Sequence, residues 1–202
     1  MGRWKAVRLE RSNLAQMKTP RSDKWLTDYS GEHLLHELKM FWWLAGNIKP
    51  DMDAYLHDAL LESFVVHLRN LIDFFYRDGQ DDDVVAKDFF DKPGEWSANE
   101  SRLLNSAHTR ANKELSHLTA ARKNEGDPEK PWDLAALHGE ISAVAKNFAL
   151  RASKTKLHEK VREFMKSTAG NVVLILGEHS HSTNTVSRYA IFPDVFPGRK
   201  TS

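Results

Sequence analysis

The sequence contains no cysteine. Disulfide frameworks and thiolate metal sites are therefore excluded, and a reducing compartment is the expected setting. Also missing is any apolar run near the ~20 residues that cross a bilayer. The densest stretch, Phe41 to Ala45, is short and follows a charged turn, so no membrane contact is expected. The opening residues, Met1 to Arg8, are basic but lack the apolar core of a signal peptide, which makes the cytoplasm the expected location. No phosphate-binding P-loop, dinucleotide fingerprint or Gly-x-Ser-x-Gly elbow occurs, and no cofactor is expected. Internal repeats and low-complexity segments are absent too.

What remains is an ordinary globular composition. The 202 residues are 41% hydrophobic, and the mean hydropathy is -0.56. That length suffices for one domain with a real core, with or without extensions. The formal charge of +1 conceals an asymmetry. Residues 1–28 hold 7 Lys/Arg against 3 Asp/Glu, residues 29–98 hold 6 against 14, and residues 99–202 hold 16 against 11. An acidic middle between basic ends points to self-association or to a polarised surface that meets anions with its basic part.

Three regions follow from the pattern. Residues 1–28 read as a basic arm pinned by Trp4 and Trp25. Residues 29–168 read as a helical domain. Ser30 is a candidate N-cap for a helix through Leu34, Leu38, Phe41, Trp42 and Ala45. A dense apolar helix follows over 51–76, then an acidic loop, then a short inserted helix over 84–90. A third long helix is predicted from Ser97 or Asn99 to Arg122, and a fourth from Trp132, bent or broken near Ser153. Short loops favour antiparallel neighbours, so the expected fold is an all-α, up-and-down four-helix bundle with a short inserted helix. Residues 169–202 form a C-terminal extension in which 170–177 and 187–192 have the composition of short strands.

The third long helix carries the most pointed chemistry. Arg110 and His117 stand seven positions apart, about 700° of helical rotation and ~10.5 Å of rise, so they share one face. A permanent cation that grips phosphate beside an imidazole that moves protons near neutral pH suits chemistry on RNA. Lys113 lies on the same face, and Asn112 neighbours it. On the second helix, Glu62, Arg69 and Asp73 make one charged stripe on an otherwise apolar surface. Arg69 and Asp73 have i,i+4 spacing for an ion pair. A charged stripe on a core helix must find partners or face a cleft. It therefore either lines the groove of Arg110 and His117 or forms an ion-pair network between helices. His67 points away from Arg69 and reads as a satisfied core histidine.

The ten histidines raise the question of metal. His33 and His36 have i,i+3 spacing but match neither His-Glu-x-x-His nor its inverse, and they read as part of an amphipathic helix. Glu178 to His181 is no more persuasive, and no metal site is expected.

The pattern over roughly residues 29–150 resembles the HEPN superfamily (higher eukaryote and prokaryote nucleotide-binding domains). These are small helical bundles whose signature, on a late helix, is an arginine followed after a short spacer by a histidine. Arg110 and His117, the apolar second helix from Ala59 to Tyr76 and the short segment from Asp82 to Phe90 carry the resemblance. Many catalytic members place a polar residue directly after the arginine, whereas this sequence has Ala111 there and Asn112 one later. The resemblance implies a metal-independent endoribonuclease that works as a homodimer, with toxin or defence roles and a cognate antitoxin as a partner. Arg110 and His117 would be catalytic, Asn112 and Lys113 would hold RNA, and Glu62, Arg69 and Asp73 would support them. The alternative it implies is a non-catalytic bundle that binds a protein or a nucleotide.

Overall fold

A computed structural model describes residues 20–92, 94–114 and 132–168. The described residues are mostly helical and contain no strand. The helices are α1 (Asp23–Tyr29), α2 (Leu35–Asn47), α3 (Ala54–Tyr76), α4 (Arg102–Glu114), α5 (Leu134–Arg151) and α6 (Glu159–Ser167). The 170–177 and 187–192 strand assignments, and the whole 169–202 extension, lie outside the described residues.

The first helix starts earlier than Ser30. Ser22 is the cap: its side chain accepts the Trp25 N–H, and the chain is helical from Asp23. The basic arm therefore gives way to helix before residue 28. A wide π-type turn over Ser30–Leu34 then joins α1 to α2. Ser30 is fully buried and does other work. Its hydroxyl donates to Thr27 O and accepts the His158 N–H, tying this turn to the start of α6.

Asp53 caps α3 by accepting the Leu56 N–H, and Ser101 caps α4 by accepting the Leu104 N–H. Asp133 does the same for α5 through the Ala136 N–H. The inserted segment is a short 3-10 turn, Ala86–Phe89, held by Asp88 accepting the Val85 N–H. Asp83 instead closes the preceding loop by accepting from Gln80 N. After α5 the chain breaks at Ala152 and Ser153. Arg162 satisfies the exposed helix end by donating to the carbonyls of Ala149, Ala152 and Ser153.

α3 packs against α2, α4 and α5, so it is the central helix. Its apolar face (Phe64, Val65, Leu68, Leu71, Ile72 and Phe75) is buried. Phe148 of α5 is the hub of an aromatic cluster with Phe74, Phe75, Phe89, Phe90 and Trp96. Trp42 is buried whereas its neighbour Trp43 is partly exposed, so the two indoles occupy different faces. No helix among the described residues is long and apolar enough to cross a membrane.

Candidate functional site

α4 lies between α3 and α5, and its sequence divides its faces cleanly. Leu104, Ala107 and Ala111 are buried against the core. Ala111 is only 2% exposed, so the position after Arg110 points inward, where a polar side chain would need a buried partner. Arg110 is half-buried, and its guanidinium carbon stands 4.2 Å from the centre of the Trp132 ring, just ahead of α5. That cation–π contact holds the guanidinium against the indole. Lys113 is exposed one turn on, and Asn112 is half-buried. His117, the other half of the predicted pair, lies outside the described residues.

The charged stripe on α3 divides. Arg69 and Asp73 line a cleft of about 870 Å³, together with Asn70, Arg77, Trp25 and Tyr29. Glu62 is exposed and does not line it. Arg110 is not among the residues that line this cleft. The two helices are connected instead through a residue with no role in the sequence reading, His108. Its Nε2 lies 2.8 Å from Asp73 Oδ1, and its Nδ1 lies 3.5 Å from Asn112 Nδ2. Asp73 Oδ2 stands 3.8 Å from Arg69 Nε, beyond hydrogen-bond range. Arg69 Nε is buried and has no hydrogen-bond partner. A single polar chain thus runs from Arg69 through Asp73 and His108 to Asn112, across the α3–α4 junction. The signal for His108 was weak because it is a lone histidine whose partner lies 35 positions away.

A parallel link joins α2 to α3. His67 Nδ1 lies 2.7 Å from Glu37 Oε2, which also accepts from Asn70 Nδ2. His67 is thus a satisfied histidine, paired with a carboxylate on the cleft wall. Burial pushes the Glu37 carboxyl up, but the hydrogen bond and charge of His67, helped by Asn70 and His36, outweigh it and hold the group below its ordinary value. The Tyr29 phenol, which also lines the cleft, is pushed up by burial and by the nearby Glu37 charge. In the core, burial and then the Lys146 charge push the His138 imidazole down.

His33 and His36 do not converge on a common point. His33 packs on Tyr29, and His36 meets the edge of His67. Among the described residues no group of three or more His, Cys, Asp or Glu side chains could hold a metal ion. The Glu178 to His181 cluster lies outside the described residues. No family model matches the sequence, and comparisons with curated proteins and with solved structures return no match.

Proposed function

We propose that the chain is a HEPN-like antiparallel four-helix bundle of the cytoplasm that acts on RNA as a metal-independent endoribonuclease. The observation that supports this reading most is Arg110 on α4, with its guanidinium held over the Trp132 ring. A planar cation oriented in advance can donate two parallel hydrogen bonds to phosphoryl oxygens and stabilise the charge that grows on them. In the reaction a ribose 2′-hydroxyl attacks the adjacent phosphorus and the bond to the 5′ oxygen breaks. The products are a 2′,3′-cyclic phosphate and a free 5′-hydroxyl. His117 is the proton-transfer group, and Lys113 and Asn112 hold the neighbouring backbone. Asp73, paired with His108, supports α4 from α3, and Arg69 and Glu62 extend the charged stripe on that helix. A homodimer would bring two Arg110–His117 pairs together, and a cognate antitoxin would be the regulatory partner.

A second reading is favoured by Ala111. Its burial leaves no polar group directly after Arg110, which suits a bundle that binds a protein or a nucleotide without cutting RNA. Incubation with labelled RNA in EDTA, with His117→Ala alongside, separates the two. Cleavage that depends on His117 supports the first, and binding without cleavage supports the second.

A further inference from the structure

The Nε of Arg69 is the one buried polar side-chain atom among the described residues that is left without a hydrogen bond. Native proteins rarely leave such a donor unmet, so its surroundings need an account. The nearest carboxylate is Asp73, one helical turn on, with Oδ2 at 3.8 Å. Closing to ~2.9 Å would complete a charge-assisted bond. Asp73 does not close. Its other oxygen is engaged at 2.8 Å by His108 from the neighbouring helix. The imidazole is well shielded, with only 17% of the His108 side chain exposed, against 42% for Asp73 and 43% for Arg69.

We infer that Asp73 is a shared carboxylate with two alternative partners, and that His108 is the positioning residue that decides between them. Bonded to His108, Asp73 stays off Arg69 and ties α4 to α3. Released by His108, it rotates onto Arg69 Nε, and α4 loses its polar tie to α3. Because Arg110 sits two residues after His108, the choice sets how the last described turn of α4 is held between α3 and Trp132. The consequence for RNA rests on the function proposed above. The exchange itself does not, since it concerns only Arg69, Asp73 and His108.

The test is nitrogen-15 NMR on the full chain without RNA, with the Arg69 Nε–H signal assigned by its loss in Arg69→Lys. In the wild type, the His108 Nε2–H is shifted downfield and protected from exchange, while the Arg69 Nε–H is neither. In His108→Leu the Arg69 Nε–H moves downfield and exchanges about tenfold more slowly, as a newly formed bond requires. In His108→Gln, whose amide can still donate to Asp73, the Arg69 signal stays as in the wild type. An Arg69 Nε–H already bonded to carboxylate in the wild type overturns the inference. So does a signal that is the same in His108→Leu as in the wild type. The wild-type spectrum decides even if His108→Leu fails to fold.

Discussion

His67 Nδ1 lies 2.7 Å from Glu37 Oε2, and this contact joins the centre of α3 to the first turn of α2. Both side chains are mostly shielded, at 13% and 28% exposure. The Glu37 carboxyl is held below its ordinary value, so it lends stability above the unfolded carboxyl range and loses it as pH falls through the lower folded value. Glu37→Gln should therefore cost about 1–2 kcal/mol at neutral pH. The difference from wild type should shrink below about pH 4, where the unfolded carboxyl is protonated. Urea unfolding at several pH values measures both.

Tyr76 gives a second pH signature at the alkaline end. Burial first, then the charges of Glu140 and Glu100, push its phenol up to about 12. A raised phenol favours the folded state below the ordinary tyrosine value of ~10 and stops doing so as pH rises through the folded one. Stability should thus decline between those two values. In an ultraviolet phenolate titration of the native chain Tyr29 and Tyr76 should both ionise late, and Tyr76→Phe should remove the step near 12.

The aromatic hub makes a strong claim about packing. Phe148 is 1% exposed and its ring centre lies 5.4 Å from that of Phe74 and 5.5 Å from that of Trp96. Phe148→Ala should cost about 3–5 kcal/mol. Leu150, two residues on in the same helix, is 80% exposed. Leu150→Ala should change stability by no more than ~0.5 kcal/mol. Equal losses for the two would contradict the assigned face of α5.

Much of this architecture was legible in the sequence, and the exceptions have physical causes. The dense apolar spacing over 51–76 marked the helix that became α3, and Trp132 and Ser153 marked the start and break of the last long helical region. Ser30 looked like a cap because serine, followed by glutamate, is good cap chemistry. Its hydroxyl serves a partner 128 residues away, which no local pattern reveals. His108 was missed for the same reason. Its partner, Asp73, was singled out for its place in the α3 stripe and its spacing to Arg69, whereas its shortest contact is the tertiary one to His108.

Gly31 shows how closely the Ser30–Leu34 turn packs on the start of α6. A Cβ there would meet His158 Cδ2 at 2.5 Å and Cγ at 2.8 Å. His158 cannot simply swing aside, because its ring accepts the Lys160 N–H and caps α6. Gly31→Ala would gain about 1 kcal/mol of helix propensity, yet overpacking should outweigh that by a net ~1–2 kcal/mol of destabilisation. A raised thermal midpoint for this variant would contradict the packing.

The most direct measurement of the central claim is RNA cleavage in EDTA by the wild type, Arg110→Ala and His117→Ala at equal concentration. Wild-type cleavage should leave 2′,3′-cyclic phosphate ends and fall by ~100-fold or more in each variant. Undiminished cleavage in either variant, or no cleavage of any RNA by the wild type, would contradict it.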